Sequence, residues 1–291
     1  MDQLTQSFRD LLSPLAPAFR SEVFSTFCLM TVAWIVCLGR RTISRVWETT
    51  GLSADHSHCP AFRLYSDAVW NWDELVRLGL VQLLALVSGS TIWLVVDDTL
   101  CHKRGARVAF GGIFLDPVLS SKKHKTLRYG VNWVTLGLVV QLPFRPDRFF
   151  CVNLLWRVYR KANGNNHPCH RTKPQLAREM IELLAGWLGE HQLVVVADCA
   201  YVGKHLLKGL PDNVCVVGPI HWKAALTTPV DHTSPKRWKK GEWTPNPTQW
   251  LENDDWPWKD LILAHPKGEK RLLVKVVQNV CWYNSVSLPT L

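Results

Sequence analysis

The chain has 291 residues, of which 47% are hydrophobic and 20% are charged. These fractions exclude a disordered protein, and the length predicts one large or two ordinary domains with a sizeable core. The nine cysteines form no CxxC pair, and the first residues carry no secretory signal. Together these features predict a reducing, cytoplasmic environment.

The formal net charge of +10 is distributed unevenly along the chain. Residues 1–98 contain seven Lys or Arg against ten Asp or Glu, whereas residues 99–291 contain 27 against 14. A basic excess confined to one region favours a polyanionic partner such as nucleic acid. A surface that is merely basic is the alternative that composition leaves open.

The first part of the chain has the periodicity of helices. An uncharged run over residues 23–38 is shorter than the about 20 apolar residues that span a bilayer, so it predicts a core helix and no membrane anchor. The following run 40–47 begins with two arginines and offers Thr42 or Ser44 as a helix cap. This arrangement fits a helix-turn-helix DNA reader, although a turn of a helical bundle explains it more simply. Residues 1–88 are therefore expected to form a helical N-terminal domain, a candidate for DNA binding.

A different pattern, typical of strands, begins after residue 88. The predicted order is three strands, a helix, a strand, a short helix and a last strand. These elements are assigned to residues 91–96, 132–142, 149–156, a helix from Thr172, 192–197, 204–207 and 213–217. This order predicts a mixed α/β sheet and excludes a repeating βαβ barrel.

Two of the apolar strands end on carboxylates, Asp98 and Asp198, which are a hundred residues apart. If the first and fourth strands are neighbours, about 4.8 Å apart, the two carboxylates converge and can share a divalent cation. Hard oxygen ligands of this kind suit Mg²⁺, and paired Mg²⁺ ions promote phosphodiester cleavage. Each aspartate taken alone is equally well explained as a turn former or a helix cap.

Basic residues surround the first of these strand ends. Five of them are candidate nucleic-acid contacts, namely Lys103, Arg104, Lys122, Lys123 and Lys125. Next to a metal site such residues can hold DNA phosphates in place. Runs of charge are otherwise usually solvated faces of a protein.

Several segments resemble one family of enzymes. They are WLVVDDTLCHKRG, LDPVLSSKKHKTLRYGVNWVTLGLVV, LLWRVYRK, HRTKPQLAREMIELLAGWL and LVVVADCAYVGKHLLKGLP, with GRRTISRVW near the N-terminus. In this order they resemble the DDE transposases of bacterial insertion sequences, whose catalytic core is ribonuclease H-like. The resemblance implies an α/β, ribonuclease H-like mixed-sheet core over residues 89–218.

The resemblance also implies an active site and partners. The first catalytic aspartate of the family falls on Asp98, with Asp97 as the close alternative. The second opens a D-x-x-Y segment and falls on Asp198, with Tyr201 as the tyrosine. The implied cofactor is Mg²⁺, or Mn²⁺ in its place, and the implied partners are transposon-end and target DNA. The implied protein is a nucleoid-associated, cytoplasmic homo-oligomer that cleaves and joins DNA strands.

One part of the family pattern is missing. The third carboxylate of the family is a Glu in the pattern Y-x2-R-x3-E-x6-K, which does not occur here. Glu252 and Glu269 are late acidic candidates, but their surroundings do not match. Residues 219–291 therefore resemble an incomplete β-rich insertion, and the sequence predicts a transposase truncated at its C-terminus. The alternative is an inactive DNA-binding protein or an inhibitor of a full-length transposase.

Tryptophans are frequent in the same C-terminal part. They are Trp222, Trp238, Trp243, Trp250, Trp256, Trp258 and Trp282. They are expected mostly to pack the core of a small β-rich segment, with stacking on DNA bases as the alternative.

Overall fold

The computed structural model describes residues 3–87, 89–105, 107–162, 170–229, 241–265, 268–282 and 286–287. The chain divides into two compact units, Met1–Ala85 and Leu86–Leu291.

The described part of the first unit is helical. Its helices are α1 (Gln3–Leu12), α2 (Ser21–Val36), α3 (Ile43–Thr49), α4 (Cys59–Ser66) and α5 (Trp72–Leu84), with 3₁₀ turns at Ser13–Ala18 and Leu52–Ala54. The core of this unit is made by residues of α2, α3 and α4 and by the cysteine after α2, namely Met30, Ala33, Cys37, Val46, Trp47, Ala61 and Leu64.

Helix α2 covers most of the uncharged run, but only one of its faces is buried. Met30 and Ala33 are buried, whereas Val32 and Ile35 are exposed. The expectation of a core helix therefore holds for one face and is wrong for the other. No helix in the described residues is long and apolar enough to cross a bilayer.

The second unit contains a mixed six-stranded sheet. Its strands are β1 (Thr91–His102), β2 (Gly112–Leu115), β3 (Leu127–Leu142), β4 (Arg145–Tyr159), β5 (Gln192–Ala197) and β6 (Val214–Val217). The strand order is β2-β3-β1-β5-β6, and β4 also pairs with β3. Strand β1 is antiparallel to β3 and parallel to β5. The first and fourth predicted strands are thus neighbours, as the convergence of the two carboxylates requires.

The observed strands extend beyond most of the predicted ones. Strand β4 pairs with β3 over nearly its whole length, and the first residues of β3 pair with β2 and β1 instead. Backbone hydrogen bonds to a neighbour therefore continue each strand past the residues that show an apolar pattern. Strand β2 was not predicted, because its four residues are defined by pairing with β3 and not by an alternation of their own.

Helix α6 (Lys173–Trp187) covers one face of this sheet. It begins where predicted, since the Thr172 side chain accepts a hydrogen bond from the Gln175 N–H and Gln175 returns one to Thr172 in a capping box. Its buried positions recur at helical spacing: Leu176, Ala177, Met180, Ile181, Leu184 and Ala185. Burial of this stripe fixes the helix, and hence its first residue, relative to the strands.

The C-terminal segment forms a small folded region of its own. It contains β7 (Leu226–Thr227), α8 (Pro247–Glu252), β8 (Lys259–His265), β9 (Gly268–Val274), β10 (Cys281–Trp282) and β11 (Val286–Ser287), and it follows α7 (Lys204–Leu207). Strands β11, β10 and β7 make one sheet, and β8 and β9 make a separate hairpin. Its core includes Leu207 of α7 together with Ala224, Leu226, Trp250, Val280 and Trp282. The segment therefore packs against the end of α7.

The expectation that most C-terminal tryptophans lie in a core is wrong. Trp250 and Trp282 are buried, but four others are exposed, namely Trp222, Trp243, Trp256 and Trp258. Trp238 lies outside the described residues. The three-stranded sheet has strands of only two residues, so it offers few buried positions for large rings.

Two leucines of α6 allow a matched test of this packing. Leu184 is fully buried, whereas its neighbour Leu183 is only partly buried. We expect Leu184→Ala to lower the free energy of unfolding of the second unit by about 2–5 kcal/mol, because a cavity is left under the helix. Leu183→Ala should lower it by about 1 kcal/mol or less. Urea unfolding followed by circular dichroism measures both values, and equal losses would contradict the observed orientation of α6.

Candidate active site

The parallel pairing of β1 and β5 brings the two predicted aspartates to one edge of the sheet. Val96 of β1 is the register partner of Ala197, the last residue of β5. Asp98 lies two residues beyond Val96, and Asp198 lies one residue beyond Ala197. Both aspartates therefore follow the same end of the paired segment, on strands about 4.8 Å apart.

Strand β1 continues past the end of β5, and this separates Asp97 from Asp98. Asp98 is the register partner of Val134 in β3, so its backbone is held within the ladder. Because side chains alternate along a strand, Asp98 shares a face with the buried residues Leu94 and Val96, whereas Asp97 lies on the other face and is exposed. The Asp97 carboxylate accepts a hydrogen bond from the Asp98 N–H at 2.7 Å.

Both carboxylate oxygens of Asp98 are hydrogen-bonded to side chains. The Tyr201 hydroxyl donates to Oδ1 at 3.0 Å, and the Lys173 ammonium donates to Oδ2 at 2.6 Å. The Asp98 side chain keeps 21% of its surface exposed. Asp98 is thus oriented by two donors and still accessible from solvent.

Asp198 starts the turn that places Tyr201. Its Oδ1 accepts a hydrogen bond from the Ala200 N–H at 2.5 Å, and its carbonyl oxygen accepts one from the Tyr201 N–H at 3.0 Å. Asp198 therefore also acts as a turn former. The turn also leaves Asp198 exposed while it carries the tyrosine back to β1.

The pKa of the Tyr201 hydroxyl is affected by the acidic groups of the site. Tyr201 is buried with 2% of its surface exposed. Burial raises the pKa of its hydroxyl well above the usual value, and the negative charge of Asp98 and the hydrogen bond to it raise the pKa further. The charges of Asp97 and Asp198 act on this pKa in the same direction. The hydroxyl therefore stays protonated and donates its hydrogen bond to Asp98.

The donor set at this edge fits Mg²⁺ or Mn²⁺. Mg²⁺ is usually bound by one or two carboxylates, with waters and substrate phosphates completing its coordination, and Mn²⁺ accepts the same ligands. Asp98 and Asp198 supply two such carboxylates. Among the described residues no group of three or more His, Cys, Asp or Glu side chains is arranged to hold a metal. An ion held by these two carboxylates would keep waters in its remaining positions.

The five predicted nucleic-acid contacts lie in loops near this end of β1. Lys103 and Arg104 follow β1, and the Lys103 N–H extends the ladder by donating to the Tyr129 carbonyl at 3.1 Å. The other three lysines lie in the loop between β2 and β3. All five side chains are exposed.

A buried carboxylate organises the loop that carries three of these lysines. Asp116 is 2% exposed, and its Oδ1 accepts hydrogen bonds from the Val118 and Leu119 N–H groups at 2.9 and 3.0 Å. Its Oδ2 lies 2.6 Å from Nε2 of His102, at the end of β1. The hydrogen bond from the Leu119 N–H, followed by those with His102 and from the Val118 N–H, holds the pKa of Asp116 below its usual value. His102 thus ties the basic loop to the strand that carries Asp98.

The sequence did not reveal the contact of Lys173 with Asp98. Lys173 lies 75 residues from Asp98 and is not among the five basic residues that the sequence places beside the site. Its position directly after the helix cap Thr172 was the one available signal, because the first residues of a helix that packs on a sheet lie near a sheet edge.

Comparison with known proteins identifies the family. The family model described as the DDE superfamily endonuclease matches residues 14–285. The chain belongs to this superfamily. No curated protein matches the sequence. Among solved structures, the chain is similar to a piggyBac transposase in a synaptic complex with hairpin DNA, with a TM-score of 0.37 and 12% identity. The match covers 88% of this chain and 55% of the piggyBac chain, so the chain spans about half of that protein.

The raised pKa of Tyr201 in this DDE endonuclease has a spectroscopic consequence. An unperturbed tyrosine ionises near pH 10, whereas Tyr201 is expected to stay protonated there. We expect Tyr201→Phe to leave the tyrosinate absorbance change between about pH 9 and 11 unchanged in the folded protein. In concentrated urea the same variant should lose the signal of one tyrosine. Loss of one tyrosine's signal in the folded protein would show that Tyr201 ionises normally.

Proposed function

We propose that the protein is a metal-dependent DNA transposase with a ribonuclease H-like core, in which Asp98 and Asp198 bind Mg²⁺ or Mn²⁺. Its reaction would be the cleavage of phosphodiester bonds at the ends of an insertion sequence and the joining of those ends to target DNA. The proposal combines membership of the DDE endonuclease superfamily with the geometry of the acidic sheet edge.

The observation that carries the proposal is the convergence of acidic groups at the end of β1 and β5. Carboxylates on adjacent strands repel each other, so their placement there does not stabilise the fold. Tyr201 and Lys173 offset this repulsion only in part, since a phenol carries no charge and the Lys173 ammonium contacts the carboxylate of Asp98. A divalent cation would supply the positive charge that such an arrangement lacks, and phosphate oxygens of DNA would complete its coordination.

Asp98 and Asp198 have different roles in the proposed reaction. Asp98 is held at a fixed angle by the β1–β3 ladder and by Tyr201, so it provides a rigid ligand. Asp198 is exposed on its turn and provides the ligand on the neighbouring strand. Asp98 and Asp198 would together hold the metal ion, which would supply Lewis-acid activation of an attacking water and of the leaving oxygen. Asp97 lies on the other face, so Asp98 is preferred as the first ligand.

The basic loops position the DNA. Lys103 and Arg104 continue from the strand that carries Asp98, and the loop held by Asp116 presents the other three lysines. Such contacts with phosphate oxygens fix the register of a duplex without reading its sequence. Several copies of the chain on paired DNA ends would be the working assembly.

Neither late glutamate completes a group of three with the two aspartates in the described part of the chain. Glu252 ends α8, and Glu269 lies on the β8–β9 hairpin. The proposed metal site therefore relies on two protein carboxylates, with water and phosphate in the remaining positions. DNA binding without cleavage, or inhibition of a longer transposase, is the second candidate function because the basic loops do not depend on a third carboxylate.

Removal of either carboxylate tests the proposed chemistry. Asp98→Asn and Asp198→Asn should each reduce Mn²⁺-dependent nicking of a plasmid that carries the DNA flanking the coding sequence by about a thousandfold, because several kcal/mol of metal-derived stabilisation are lost. Asp147→Asn makes the same change at an exposed carboxylate that pairs only with arginines, and it should leave nicking unchanged. Full nicking activity in Asp98→Asn or in Asp198→Asn would contradict the assignment of that aspartate as a metal ligand.

The basic loop is tested by the salt dependence of DNA binding. A variant with Lys122, Lys123 and Lys125 changed to Gln should bind duplex DNA more weakly and should lower the slope of log Kd against log salt by up to about 2.7. Fluorescence anisotropy at several salt concentrations measures this slope.

A second triple variant provides the control. It changes Lys208, Lys259 and Lys270 to Gln, which are exposed lysines outside the two basic loops. It carries the same change of net charge, so it separates a local contact from a general electrostatic effect. Equal slopes for the two triple variants would show that the loop makes no specific phosphate contacts.

A further inference from the structure

Lys173 is held in a defined position next to the proposed metal site. It is the first residue of α6, directly after the capping box of Thr172 and Gln175. Its Nζ lies 2.6 Å from Asp98 Oδ2 and 5.5 Å from the centre of the Tyr159 ring. Its side chain is 30% exposed, so the ammonium is partly desolvated and can still leave toward solvent.

The contact with Lys173 gives the second carboxylate oxygen of Asp98 a hydrogen-bond donor. Tyr201 occupies Oδ1 and Lys173 occupies Oδ2, so each oxygen already has a donor within the protein. The two donors differ in charge, because the phenol is neutral and the ammonium carries +1. An ammonium at 2.6 Å from a carboxylate oxygen takes much of the space and charge that a divalent cation would use.

We propose that Lys173 is an internal cation that occupies Asp98 when no metal is bound and thereby competes with the divalent ion. The inference rests on the proposed function, since it takes Asp98 as a metal ligand. Binding of the metal at Asp98 requires the ammonium to withdraw, and its four-carbon stem gives it the freedom to do so. Lys173 therefore keeps the metal affinity of the DNA-free protein low.

A purely structural role for Lys173 makes the opposite prediction. If the lysine mainly orients Asp98, its removal disorders the ligand and weakens metal binding. If it competes, its removal leaves a more negative site and strengthens metal binding. The direction of the change in metal affinity therefore separates the two roles.

The test is a titration of the full chain with Mn²⁺ in the absence of DNA, in which free Mn²⁺ is measured by electron paramagnetic resonance. Lys173→Met should bind Mn²⁺ about tenfold more tightly than the wild type, because one positive charge beside the carboxylates is removed. Lys173→Arg keeps the charge and should stay close to wild-type affinity. Lys270→Met, on the β8–β9 hairpin, loses the same charge elsewhere and should also match the wild type.

Lys173→Gln is a second neutral variant, which keeps the test valid if Lys173→Met does not fold. It keeps a hydrogen-bond donor for Asp98 without the charge, so it should also bind Mn²⁺ more tightly. Circular dichroism of each variant without metal confirms that the fold is retained.

Two outcomes overturn the inference in distinguishable ways. Unchanged or weaker Mn²⁺ binding by both neutral variants, with binding still lost in Asp98→Asn, would refute the competition and leave the metal site standing. Absence of Mn²⁺ binding in the wild type and in every Lys173 variant would refute the metal site itself.

Discussion

The parallel pairing of β1 with β5 is the contact on which the candidate active site depends. It joins segments about a hundred residues apart in the chain and aligns Val96 with Ala197, so that Asp98 and Asp198 follow the same end of the paired segment. Strand β1 then continues along β3, which holds Asp98 in a ladder while Asp198 begins a turn. The difference between a fixed and an exposed carboxylate follows from this offset between the ends of the two strands.

The electrostatics of the site follow from the same arrangement. Acidic groups that the strands bring together need donors and positive charge, and the fold supplies a protonated phenol and one ammonium. Neither closes the site permanently, because Asp98 remains partly exposed. A charged group also stabilises the basic loop, where the buried carboxylate of Asp116 accepts backbone hydrogen bonds from a segment whose lysines repel one another.

Much of this could be predicted from local patterns. The apolar run of β5, the capped start of α6 and the short helix α7 were each predicted within one residue of the observed bounds. Apolar periodicity and helix capping are local properties, so they can be recognised from the order of residues. Strand β2 and the exposed C-terminal tryptophans were not predicted, because partners elsewhere in the chain decide whether a short strand pairs or a ring is covered.

The sequence by itself determined that two apolar runs are followed by Asp98 and Asp198, that a tyrosine comes three residues after the second, and that lysines follow the first. Only the tertiary structure decided that the strands are parallel neighbours, that Tyr201 and Lys173 share Asp98, and that His102 ties down the basic loop. Those contacts join residues 14 to 103 positions apart. Their physical basis is the register of the sheet and the docking of α6, which no local pattern encodes.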